Sequence, residues 1–302
     1  MRALKELAAV PRRALASVEE WFLGPADPRA YGVLRIGYAV SALCVLVDVF
    51  PSRHLLFADT GLFGGAEPGG PLFPLNVFRF VHGESAVTFT LLFFGAAIAC
   101  LALGIVPRLA AAFTYLWTLS YYATAPASQS GFDTILRVVG FVMVIVPSHG
   151  SFRAFGAPSA EAAPPAYGLR FVQWQLMLVY LATVWLKAPD PFWRNGDAVT
   201  YFLMSMFARF PTAAAAHLGP LAGLFDYGTL FIEASVPFLL WMRRTRFLGV
   251  FLGVLLHVGI AATSRIALFS LTILSLYPAY LEAGDFDDLK RWFSREAPGK
   301  SA

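Results

Sequence analysis

Eight stretches of this chain are apolar over about the length a helix needs to cross a hydrocarbon layer, and nothing else in the sequence restricts the fold so strongly. They are Tyr31–Phe50, Ala86–Val106, Leu109–Ala125, Phe132–Pro147, Gly168–Leu186, Leu224–Trp241, Phe247–Ala262 and Ile266–Leu281. A spanning helix takes about 20 mostly apolar residues. The third and fourth runs are short, so they are tilted, partly buried or re-entrant. With 58% hydrophobic and 14% charged residues, the chain cannot hide its apolar surface in a single core; a soluble domain carries about 25% charge. The expected fold is an all-α integral membrane protein, a bundle of about eight transmembrane helices with short interfacial helices at both ends.

The net charge of +4 does not indicate a nucleic-acid partner. The basic residues gather in short loops between apolar runs, where they set topology. With the N-terminus inside, Arg2, Lys5, Arg12, Arg13, Arg108, Arg153, Arg170, Arg243, Arg244 and Arg246 all fall inside, as do the basic residues of the C-terminal tail. An even number of spans with both termini cytoplasmic is therefore expected. Three segments follow: residues 1–27, basic and amphipathic; 28–282, the membrane domain; and 283–302, where Phe286, Leu289 and Phe293 share one helical face. The two ends read as membrane-surface anchors, with lipid sensing as the other reading. No secretory signal is expected, because the first apolar run starts near Tyr31. Cys44 and Cys100 lie in apolar segments with no CxxC or metal-type spacing, which reads as two small buried hydrophobes, and no metal site is expected. Of the long connections, Pro51–Ser85 carries Leu72, Phe73, Phe78 and Phe80 and is expected to cap the helices. His149–Tyr167 reads as a linker.

A charge at the bilayer centre costs about 2.5–3.5 kcal/mol on insertion scales, so each needs a partner or a polar cavity. The candidates are Arg35, Asp48, Asp133, Arg137, Lys187, Glu233 and His257. Asp133 and Arg137 are spaced i, i+4 and can pair. Lys187 ends its apolar run just before Pro189 and Pro191, followed by Trp193 and Gly196, so the backbone breaks where the charge sits. Alone, it reads either as a snorkelling lysine or as a site residue. Glu233 lies deep in an apolar helix, and Pro237 removes the donor that its carbonyl would use. His257 is a helix–helix hydrogen bond or a proton carrier. These residues come from separate helices and share one side of the membrane, so they are expected to converge on a cavity in its outer half. A lysine in a low-dielectric pocket sheds its proton more easily and can serve as a base. Trp193 and nearby aromatics suit a flat apolar ligand such as a quinone. Neither a phosphate loop nor a serine nucleophile elbow is visible.

Four stretches together resemble the horizontally transferred transmembrane (HTTM) family, the membrane domain of vitamin K-dependent gamma-carboxylases. They are Leu34-Arg35-Ile36-Gly37 with Asp59-Thr60-Gly61; Gly131 to Arg137; Tyr180 to Gly196, with its tyrosine, lysine and Trp-x-x-Gly; and Glu233 to Ser270. The resemblance covers about residues 28–282. It implies that Lys187 matches the lysine that deprotonates reduced vitamin K, and that Glu233 and His257 match polar positions of the membrane domain. The implied cofactor is reduced vitamin K or menaquinone, and the implied setting a bacterial inner membrane. The expected site comprises Lys187, Asp133, Glu233 and His257 as catalytic or relay groups and Trp193, Tyr180 and Arg137 as ligand-binding groups. Two departures stand out. Gln129 or its neighbours occupy the place of a functional histidine of the animal enzymes, and the large exoplasmic recognition domain is expected to be missing. Two functional readings follow: quinol-dependent oxygenation or carboxylation with a peptide or protein acceptor, and a non-catalytic lipid or quinone binder, scaffold or small carrier.

Overall fold

Asp27 starts the first long helix. Its side chain accepts from the Arg29 amide at 2.7 Å and Pro28 occupies the first turn, where a missing N–H costs nothing. In this computed structural model, residues 16–63, 75–125, 128–146, 151–154 and 163–295 are described. α1 (Pro28–Val49) runs on through a 3-10 turn and α2 (Arg53–Phe57) as one apolar rod, Pro28–Phe57. α3 (Glu84–Leu103) stops at Gly104, whose φ of +72° closes the helix end, and Pro107 at once opens α4 (Pro107–Thr124). α5 (Gly131–Ile145) and α6 (Tyr167–Lys187) follow. Two short helices, α7 (Pro191–Asn195) and α8 (Ala198–Met204), lead to α9 (Pro220–Trp241). α10 (Arg246–Thr263), α11 (Ala267–Leu276, extended by a 3-10 turn to Tyr280) and α12 (Ala283–Arg295) complete the order.

A helix therefore stands at each of the eight expected positions. Five are long and apolar enough to cross a membrane: Pro28–Phe57, Glu84–Leu103, Tyr167–Lys187, Pro220–Trp241 and Arg246–Thr263. Ala267–Tyr280 is shorter, α5 has 15 residues, and α4 carries several hydroxyls within its 18. The described residues contain no strand, only the isolated bridges Pro25–Pro165 and Ala208–Ser264.

α1 lies at the centre, packed on α3 and α11, while α4 covers α3 and α5. α6 lies against α9, α9 against α10 and α10 against α11. Large apolar side chains point away from the bundle, among them Phe89, Phe231 and Phe251, whereas Arg35, Glu233 and His257 are buried within it. This inversion of the soluble pattern is what a lipid solvent dictates.

The expectation of a capping loop holds in part. Phe78 is buried and stacks on Phe57 with ring centroids 4.5 Å apart, both against Trp117. Asn76 holds the turn by accepting from the Phe78 amide and the Thr124 hydroxyl, each at 3.0 Å. Phe80 remains exposed; Leu72 and Phe73 lie outside the described residues, as does most of the basic N-terminal segment. α12 is tied down: Arg29 bridges Asp287 at 2.8 Å, and buried Arg246 pairs with Asp285 and, at 2.8 Å, with Glu282.

Candidate functional site

Lys187 is the last residue of α6, and its neighbour across the helix pair is Glu233 of α9. The ammonium nitrogen lies 2.7 Å from Oε1 and 2.8 Å from Oε2. Glu233 is almost fully buried and Lys187 a quarter exposed. Pro237 sits one turn later in an otherwise unbroken α9, so the Glu233 carbonyl lacks its usual donor. Thr183, four residues before Lys187 and therefore on the same face, places its hydroxyl 3.3 Å from Glu233 Oε2 and 2.8 Å from the Tyr180 carbonyl.

Trp193 covers the pair, its ring centre 4.6 Å from Lys187 Nζ, within cation–π range. The chain places it there by a tight turn. Pro191 opens α7, the Asp190 side chain caps it through the Phe192 amide at 2.9 Å, and Gly196 closes it with φ +79°. A side chain at Gly196 would also lie 2.9 Å from the Gly223 backbone, so α7 can rest on the start of α9 only because position 196 is glycine. Tyr227 fixes the contact by donating to the Arg194 carbonyl at 2.7 Å. Asp226, fully buried, accepts from the Ala198 and Val199 amides at 3.0 and 2.9 Å and thereby caps α8. Asp226 and Glu233 are seven residues apart, two turns of one helix face. That face of α9 thus carries both the partner of Lys187 and the clamp of the cover.

About two turns deeper along α6 is a second polar group. The Tyr180 hydroxyl is 2.8 Å from His257 Nε2 and 2.6 Å from the Tyr277 hydroxyl. All three residues are buried. Gly253 makes this possible, since a Cβ there would overlap the Tyr277 hydroxyl. His257 also lies beside Phe269, with ring centroids 5.7 Å apart.

Of the seven residues singled out from the sequence, five therefore gather along α6: Lys187, Glu233 and Trp193 at its end, Tyr180 and His257 below. The other two do not join them. Asp133 forms a capping box with Ser130, accepting from its amide at 2.7 Å. Arg137 donates to Thr134 at 3.1 Å and lies over the Tyr122 ring. The i, i+4 ion pair expected of Asp133 and Arg137 is not formed, because the free amides of the helix start compete for the carboxylate. Gln129 donates to the Tyr122 carbonyl at 2.8 Å and serves the end of α4. Arg35 is buried near Gly104 and donates to the Phe152 carbonyl at 2.8 Å, while Asp48 is exposed. Thr183, Asp226, Gly253 and Tyr277 join the site without being among the residues expected from the sequence. Asp226 did leave a signal: an acid inside an apolar run, one heptad before Glu233.

The fold and this arrangement define a polytopic helical membrane protein with a buried lysine–glutamate pair at one end of its bundle. The chain belongs to the HTTM family: the HTTM domain matches residues 24–284, most of its length. No curated protein and no solved structure matches it.

Proposed function

We propose that this HTTM protein is a membrane enzyme of the vitamin K-dependent carboxylase type, in which Lys187 is the base for a reduced quinone. The supporting observation is the Lys187–Glu233 pair beneath Trp193. A pair joined by hydrogen bonds of 2.7 and 2.8 Å can exist as ammonium and carboxylate or, after one proton moves along the bond, as amine and carboxylic acid. The amine takes a proton from a ligand hydroxyl, breaking that O–H bond and restoring the ammonium. Glu233 stores and returns the proton, and Thr183 holds Glu233 in place. Trp193 covers the ammonium on one side. Reduced vitamin K or menaquinol supplies the acidic hydroxyl and the reducing equivalents for oxygenation, and a peptide or protein glutamate is the acceptor in the carboxylating version. Tyr180 and His257 form the polar floor. Asp133 and Arg137 act only through the stability of α5. The setting we assign is a bacterial inner membrane, with eight spans, both termini cytoplasmic, the end segments on the membrane surface and Lys187 in the outer half.

The test supplies purified protein in detergent with reduced vitamin K or menaquinol, oxygen and bicarbonate, and reads quinone epoxide by mass spectrometry. Epoxide formed by the wild type and absent from a folded Lys187→Ala protein supports the assignment. Equal epoxide from both removes Lys187 as the base.

One observation favours a second reading, a non-catalytic quinone or lipid binder. The Lys187 ammonium is already satisfied by both Glu233 oxygens and a Trp193 face, which is what a structural pair requires. Saturable quinone binding with no product over time selects this reading.

A further inference from the structure

At the opposite end of α6 from Lys187 is a cavity of about 560 Å³. Arg170 and Gln173, one turn apart on α6, line it; Trp21 and Trp241 wall it, their rings stacked with centroids 6.1 Å apart; Arg246 and Glu282 border it. Arg170 and Lys187 are separated by 17 residues, about 26 Å along a helix. The cavity therefore lies at headgroup depth on the other membrane face, where the spans Tyr167–Lys187 and Pro220–Trp241 begin and end.

Its charges are arranged with one donor and one acceptor left over. Arg246 is consumed: Nε donates to the Leu240 carbonyl, and the other two nitrogens serve Asp285 and Glu282. Asp27 is consumed by Arg29. Arg170 uses Nε on the Trp21 carbonyl at 3.2 Å and Nη1 on Gln173 at 3.0 Å, and among the described residues its Nη2 has no protein acceptor. Gln173 is nearly fully buried and donates to the Ala279 carbonyl at 2.7 Å, so it fixes the guanidinium from below while Trp21 lies against it, 4.7 Å away. Glu282 gives Oε1 to Arg246. Its Oε2 has no protein donor among the described residues, and the side chain is 58% exposed.

We propose that this cavity binds the phosphoethanolamine headgroup of a membrane phospholipid, the phosphate on Arg170 and the ammonium on Glu282. A held guanidinium with a free donor edge suits a phosphate oxygen. Paired indoles suit the glycerol boundary, because tryptophan sits at headgroup level. The carboxylates of Glu282 and Asp27 disfavour a purely anionic headgroup, and a primary ammonium can donate to Glu282 where the trimethylammonium of phosphatidylcholine cannot.

The full chain in mild detergent is titrated with phosphatidylethanolamine, phosphatidylcholine and phosphatidylglycerol, and bound lipid is read by native mass spectrometry. Phosphatidylethanolamine is expected to bind about tenfold tighter than either alternative, the value of one charge-assisted hydrogen bond. Arg170→Gln lowers its affinity about tenfold and Arg170→Lys restores part of it. Glu282→Gln removes the preference over phosphatidylcholine while leaving phosphatidylcholine binding unchanged; because Arg246 keeps Asp285, this variant carries the test if Arg170→Gln does not fold. A preference for phosphatidylglycerol, or affinities unchanged in both variants, overturns the proposal. Soluble phosphoethanolamine competing as tightly as the lipid overturns the lipid source and leaves an aminophosphate site.

Discussion

The Lys187 ammonium sits between both carboxylate oxygens of Glu233, at 2.7 and 2.8 Å, across 46 residues of chain. Together with the Thr183 hydroxyl it ties the end of α6 to the middle of α9.

Removing one partner strands the other. Glu233 is the more buried of the two, so Lys187→Ala leaves an uncompensated carboxylate and costs more than Glu233→Gln, which leaves the more exposed ammonium. Loss of one member of a buried pair costs roughly 3–5 kcal/mol, and the partial exposure of Lys187 places both variants near the lower bound. The double variant Lys187→Met, Glu233→Leu should recover most of the loss. Thermal unfolding in detergent of wild type, Lys187→Met, Glu233→Leu and their double variant closes a double-mutant cycle and measures the coupling.

Asp133→Ala tests the division between the pair and the cap. Loss of a capping side chain costs about 0.5–2 kcal/mol. The unfolding midpoint should fall while quinone binding, measured on the folded fraction, stays at the wild-type value. A large loss of binding would return Asp133 to the site.

The cover over Lys187 depends on Asp226 and Gly196. Asp226→Ala removes the acceptor of two α8 amides, and Gly196→Ala forces a side chain into a φ of +79° against Gly223. Hydrogen exchange read by mass spectrometry should speed up across residues 191–204 in both variants, and remain unchanged across α1 and α3.

Gly253→Ala is expected to cost about 1–3 kcal/mol by overpacking, because the added methyl displaces the Tyr277 hydroxyl. Tyr277→Phe in the same background removes the nearest atom but leaves ring carbons 2.7 and 2.8 Å from the methyl, so it should ease the clash in part and cost less there than in the wild type. Unfolding midpoints of the two single variants and the double variant decide this.

Low pH should loosen the start of α1. Burial pushes the Asp27 carboxyl up, but hydrogen bonds and charge from Arg29 outweigh it and hold the group below its usual value. A depressed carboxylate stabilises the fold above its unfolded pKa of about 4 and loses that contribution as pH falls through the folded value. Wild type should therefore lose stability between about pH 5 and 2 relative to Asp27→Asn, whose cap does not titrate.

How much of this was legible in the sequence depends on range. Helix positions were, because twenty-residue apolar runs and local punctuation fix them: Gly104 and Pro107 set one turn, and the breaks after Lys187 set another. Lys187, Glu233 and His257 were legible as costly ionisable groups. Their partners were not, since the face that α9 turns to α6 follows from packing between distant segments. Hydroxyls such as Thr183 and Tyr277 carry no charge cost and gave no signal. The Asp133–Arg137 reading failed on a local competition: spacing allowed the ion pair, and the uncapped amides of α5 won the carboxylate.

The three side chains Tyr180, His257 and Tyr277 share their hydrogens as one unit. Each hydroxyl has one proton to give, and among the described residues His257 Nδ1 is buried without a partner. With the imidazole hydrogen on Nε2, His257 donates to Tyr180 and Tyr180 to Tyr277; with it on Nδ1, Tyr277 donates to Tyr180 and Tyr180 to Nε2. Each order leaves one donor unpaired, on Tyr277 or on Nδ1. The row is therefore a wire with two signs, and a change of imidazole tautomer on α10 reverses the hydroxyl at the end of α11.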